Sequence, residues 1–130
     1  MKLEWSSENK YAVAKRFETF AETRPREFAS LFANLDRIVR HLNGGAKVGG
    51  FQMGYFRSEG EGVYRIGQTA VQHAKESRLY IFPNQSNQTI YILTVGTKDR
   101  QPEDINEAKA IAGQIKVALA DETKANQAGG

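Results

Sequence analysis

The sequence predicts an α+β domain, with a strand and two helices first, then an antiparallel sheet, then a closing helix. Three observations carry this. Phe28, Leu31, Phe32, Leu35, Ile38, Val39 and Leu42 recur at three- and four-residue spacing, the stripe of an amphipathic helix. Arg78–Phe82 and Thr89–Val95 are apolar runs on either side of the turn-forming Asn84-Gln85-Ser86-Asn87-Gln88. Pro102, followed by Glu103 and Asp104, opens a last helix with Ile105, Ala108, Ile111, Ala112, Ile115 and Leu119 on its apolar face.

Length and composition bound the rest. A chain of 130 residues supports one core, and 40% hydrophobic with 25% charged residues is ordinary for a globular protein. Residues 1–120 read as a single domain and 121–130, polar and glycine-ended, as a frayed tail. The net charge is +3 and unevenly spread: residues 1–45 carry 8 basic and 6 acidic groups, 46–100 carry 7 and 4, and 101–130 carry 3 and 5. The positive excess therefore falls among the strands, which suits a nucleic-acid or acidic partner without requiring one. The absence of cysteine excludes disulfides, thiolate metal sites and cysteine nucleophiles, and agrees with a reducing cytoplasm. No apolar run approaches the ~18 residues of a membrane span, and Met1–Lys10 lacks the apolar centre of a signal peptide. A cytoplasmic protein with no membrane partner is the expectation.

In chain order, Lys2-Leu3-Glu4-Trp5 alternates as a short strand does, with Leu3 and Trp5 inward. Ser6 and Ser7 supply cap oxygens and Glu8 favours the positive end of a helix. Val13, Ala14, Phe17, Phe20 and Ala21 give that helix its apolar face. Pro25 cannot sit in a helix interior, so the first helix ends near Glu22 and the striped one starts near Thr23 or Arg24. Asn43-Gly44-Gly45 stops it with residues able to turn left-handed. Residues 46–61 read either as an edge hairpin, with Phe51, Met53 and Tyr55 alternating, or as a glycine-rich flap that brings Lys47 and Arg57 to a phosphate. The missing GK[ST] and following helix argue against a P-loop.

Gly62–Thr69 reads as a strand with Tyr64 and Ile66 on one face and Val63 and Arg65 on the other. Residues 70–77 form a polar connector holding His73. Leu79 and Ile81 alternate with Arg78, Tyr80 and Phe82 until Pro83 ends that strand. Thr89–Val95, apolar nearly throughout, reads as a central strand covered on both faces. With the helices packed on one face of the sheet, the other stays open. Arg65 and Arg78 point to that open face, and Lys98 and Arg100 emerge at its end, so four cations surround one concavity. Arg78 has an ion pair with Glu61 or Glu76 as its alternative role. Tyr80 and Phe82, on the Arg78 face, either stack a base or lie buried. His41, at the end of the second helix, suits the helix dipole.

The segment ESRLYIFPNQSNQTIYILTVGTKDRQPEDINEAKAI resembles the C-terminal half of the RelE/ParE superfamily of bacterial toxins. From Arg78 to Arg100 the likeness to RelE-type members needs no gap. Gln101-Pro102 with Ile105, Ala108 and Lys109 looks like the HigB-type branch. Val63-Tyr64-Arg65-Ile66 looks like the strand in which these toxins carry a basic residue. The resemblance implies a RelE-like fold of strand, helical hairpin, antiparallel sheet and C-terminal helix. It implies endoribonuclease action on mRNA at the ribosome, with no metal or other cofactor. As partners it implies a cognate antitoxin, with a homodimer or an antitoxin heterotetramer as the assembly.

Residue by residue, the resemblance matches Arg78 to the phosphate-stabilising arginine, Arg65 to a strand lysine, Lys98 to a second basic position and Arg100 to the basic residue two further on. There are departures. Gly67 stands where RelE-type members are basic, and their C-terminal tyrosine is missing, with Asp104 at the nearest position. His73 is then a candidate for proton transfer. Two alternatives stay open on the same fold: a ParE-like inhibitor of DNA gyrase that cleaves nothing, and a toxin-derived domain without activity.

Overall fold

The structure, a computed structural model, describes residues 2–5, 10–50, 53–69, 71 and 75–129, with the side chains of 2, 4, 5, 10–13 and 125–129 excepted. Its elements follow the expected order: β1 (Lys2–Trp5), α1 (Lys10–Thr23), α2 (Pro25–Asn43), β2 (Phe56–Gly60), β3 (Val63–Gly67), β4 (Ser77–Asn84), β5 (Thr89–Thr97) and α3 (Gln101–Gly129). Single 3-10 turns occupy Val48–Gly50 and Lys98–Arg100. Pro25 sits in the first turn of α2, where its missing N–H breaks no helical bond, and Gly45 beyond its end takes φ +101°. No helix among the described residues is long and apolar enough to cross a membrane.

Among the described residues five strands form one sheet in the order β1-β5-β4-β3-β2. Strands β2 to β5 are an antiparallel meander, and β1 adds in parallel to the outer side of β5. The β2–β3 turn is tight: Gly60, Glu61 and Gly62 all have positive φ, and Gly62 lies so close to the Phe82 ring that a Cβ would stand 3.0 Å from it.

Cross-strand pairing fixes the faces. Arg65 pairs with Tyr80 and Tyr80 with Thr94, while Gly67 pairs with Arg78 and Arg78 with Gly96, so these six share one face. Ile66, Leu79 and Val95 are on the other. Helix α2 packs on β3 and β4 with Leu31, Leu35 and Ile38 buried, and covers the Ile66–Leu79 face. Helix α3 lies over the Tyr80 face: its Asp104 carboxylate sits on Gly96, and Lys116 Nζ stands 5.5 Å above the Phe82 ring. Helix α1 packs on β5 between them, with Phe17 edge-on to Phe32 of α2 and Arg16 paired with Glu107 of α3.

The helices therefore cover both faces, not one. Burial of Ala108, Ile111, Ala112 and Ile115 requires an apolar surface under α3, and Tyr80, Phe82 and Tyr91 supply it. Other expectations shift in detail. Leu3 is 51% exposed because β1 is the outermost strand. The edge strand forms at Phe56–Gly60, after the alternating Met53 and Tyr55, and Phe51 lies outside the described residues. Pro83 stays within β4, whose pairing with β3 ends at Ile81, so no partner there needs its missing N–H. Residues 121–129 continue α3 as helix. Ser6, Ser7 and Glu8 lie outside the described residues.

Candidate functional site

The outer part of the Tyr80 face, beyond the start of α3, opens as a cleft of about 540 Å³. Its walls are tied by backbone and buried polar bonds. Asn34 Nδ2 of α2 donates to Gly67 O at 2.8 Å, and Ser30 Oγ both donates to Thr69 O and accepts from Thr69 N at 2.8 Å. Gly67 N donates to Tyr55 O at 2.7 Å, which folds the glycine-rich segment against β3. Lys98 N donates to Glu76 O at 2.9 Å and joins the two ends of the β4–β5 hairpin. A rigid frame thus holds the charged side chains.

Arg57, Arg65, Arg78 and Lys98 all line this cleft, together with Glu76. Arg57 and Arg65 are cross-strand partners on β2 and β3, and Arg65 Nε pairs with Glu59 Oε1 at 3.2 Å. The Arg78 side chain is only 15% exposed and forms the floor; Nη1 donates to Ser77 O at 3.1 Å, and Nε has no hydrogen-bond partner. Gly67 makes room for it. A Cβ there would stand 3.5 Å from Arg78 Nη1, in van der Waals contact with the guanidinium.

Glu76 is the residue that pattern reading considered only as an ion-pair partner. Its Oε2 lies 3.1 Å from Lys98 Nζ and 3.6 Å from Arg78 Nη2. The Lys98 hydrogen bond and charge, then the Arg78 charge, hold its carboxyl below the usual range. Position two before Arg78, at the mouth of a strand, was the available signal.

The other expected site residues are elsewhere. Tyr80 is fully buried and Phe82 is 7% exposed, stacked on Tyr91 at 5.9 Å beneath α3, so neither can stack on a base. Burial, then the charges of Asp104 and Glu59, push the Tyr80 hydroxyl above its ordinary value. Arg100 turns to the opposite side of the α3 N-terminus, into a separate cleft of about 410 Å³ beside α1, with its Nε 3.9 Å from Asp104 Oδ1. Lys47 is exposed before the Val48–Gly50 turn and does not line the basic cleft. His73 lies outside the described residues, and His41 is exposed at the end of α2. The described residues contain no group of three or more His, Cys, Asp or Glu able to hold a metal ion.

Four cations around one concavity concentrate positive potential there, which favours an anionic group. Glu76, ionised between two of them, is the carboxylate within reach of the same group. Comparison with protein-family models, with curated proteins and with solved structures finds no match for this chain.

Proposed function

We propose that the chain is a RelE-like toxin of a type II toxin–antitoxin system, an endoribonuclease that cuts mRNA at the ribosome without a metal and is held in check by a cognate antitoxin. One observation carries the reading: Arg57, Arg65, Arg78 and Lys98 converge on one cleft whose floor is a nearly buried guanidinium with a free Nε. In the proposed step the ribose 2′-hydroxyl attacks the adjacent phosphorus. The O2′–P bond forms and the P–O5′ bond breaks, leaving a cyclic phosphate and a 5′-hydroxyl that takes its proton from solvent. Arg78, Arg65 and Lys98 stabilise the phosphoryl oxygens, since fixed donors in a sheltered site need no reorganisation as charge builds.

Glu76 receives the 2′-hydroxyl proton. A phosphate seated between Lys98 and Arg78 draws both cations from the carboxylate, which restores its proton affinity toward that of an ordinary glutamate. The test is induced expression in a bacterial host, wild type beside Arg78→Ala. Growth arrest with mRNA cut at translated codons, lost in Arg78→Ala, is the expected result. Arrest with intact mRNA and filamentous cells would favour the gyrase-inhibiting reading instead, and no arrest at all would end both.

A further inference from the structure

With Tyr80 and Phe82 under α3, an RNA in the basic cleft needs another surface for its bases. A second groove, of about 710 Å³, lies across the edge strand β2 from that cleft. Phe56 and Tyr64 form its wall, their rings 4.8 Å apart and 17° from parallel, with Val48 and Met53 beside them. Phe56 is buried, while Tyr64 and Met53 are half-buried and retain surface. By strand alternation this aromatic pair is on the face opposite Arg57 and Arg65. Arg57 and Gly54 nevertheless line both concavities, because they stand where one meets the other at the sheet's edge. Among the described residues, a Cβ on Gly49 or Gly54 would meet nothing within 4 Å.

We propose that this groove takes the nucleobase of the nucleotide whose phosphate is in the basic cleft, stacked on Tyr64 with Phe56 as its backing. The inference rests on the reading that the cleft binds RNA. A single strand bending over β2 has its phosphate met by Arg57 at the crossing and its base delivered to the far side. The stacking surface itself is aromatic, so it tolerates every base and discriminates by stacking strength.

The experiment is fluorescence-anisotropy binding of a short single-stranded RNA, 2′-O-methylated to prevent cleavage, beside copies with one abasic position moved along the strand. Tyr64→Leu should weaken binding by roughly five- to hundredfold and Tyr64→Phe should restore it. One abasic copy should bind wild type as weakly as the intact RNA binds Tyr64→Leu, with no further loss when the two are combined. Intact binding by Tyr64→Leu, or equal losses on every abasic copy, overturns the groove. If Tyr64→Leu unfolds, the abasic series on wild type and Tyr64→Phe decides alone. Where wild type binds, Arg78→Ala weakens it and neither Tyr64→Leu nor any abasic copy does, the groove fails and the nuclease reading stands. Where wild type binds no RNA, both fail.

Discussion

Two carboxylates flank the start of α3, each among basic side chains, and they behave oppositely. Glu76 is half exposed, touches Lys98 and lies near Arg78, and is held ionised below the usual range. Asp104 is 1% exposed, its Oδ2 has no partner, and its nearest arginine stands 3.9 Å away. Burial pushes its carboxyl up to about 6, against the opposing pull of Arg100 and Arg16. The number of nearby cations does not decide the outcome. Hydrogen-bond contact keeps Glu76 charged, and loss of water outweighs more distant cations at Asp104. The first arrangement leaves a charged carboxylate among cations at a cleft wall, whereas the second packs a helix end onto a strand.

That contrast can be broken in four ways. Arg78→Ala should lower RNA cleavage by about 10²–10³-fold, the scale of losing one preorganised donor. Arg100→Ala, on the Asp104 side, should change it little, as single-turnover assays would show. Gly96→Ala comes next, because a Cβ there overlaps the Asp104 carboxylate. The expected loss is about 1–3 kcal/mol in urea melts, the usual cost of overpacking. Gly67→Ala, with contacts no closer than 3.5 Å, should lose less.

Asp104→Asn tests the buried carboxylate through pH. The folded carboxyl titrates near 6 and the unfolded one near 3.8, so the native state holds more protons between those values. Wild-type stability should fall as pH rises from about 4 to 6 and level off above, a change of about 3 kcal/mol. The variant should lack that slope and be the more stable protein at pH 7. The smallest effect is on binding: Glu76→Gln should tighten RNA affinity a fewfold at low salt while slowing cleavage, a split read by anisotropy beside turnover.

The order of elements was legible because each depends on local signals: the α2 stripe, Pro25, the Asn84–Gln88 turn and Pro102. The placement of α3 was not. Thr89–Val95, apolar nearly throughout, already required cover on both faces, and α3 had an apolar face of its own to bury. Alternation put Tyr80 and Phe82 with Arg78 correctly, but strand pattern cannot show that a helix covers the inner part of a face and stops short of its rim. Arg57 was visible as a cation and not as Arg65's neighbour, since β2 starts later than the alternating residues suggested. Asp104 reads as a helix-opening acid in sequence. Its burial follows from packing against Gly96, a distant-face contact without a local signature.

The parallel docking of β1 onto β5 has a consequence for how the chain reaches this state. Strands β2 to β5 pair with their sequence neighbours, whereas Leu3 meets Ile90 across nearly the whole intervening chain. Closing that loop costs more entropy than any hairpin in the meander, and the reward exists only once β5 is in place. The β1–β5 ladder is therefore expected to form after the meander, and hydrogen exchange during refolding should show protection in β3 to β5 before it appears at Leu3.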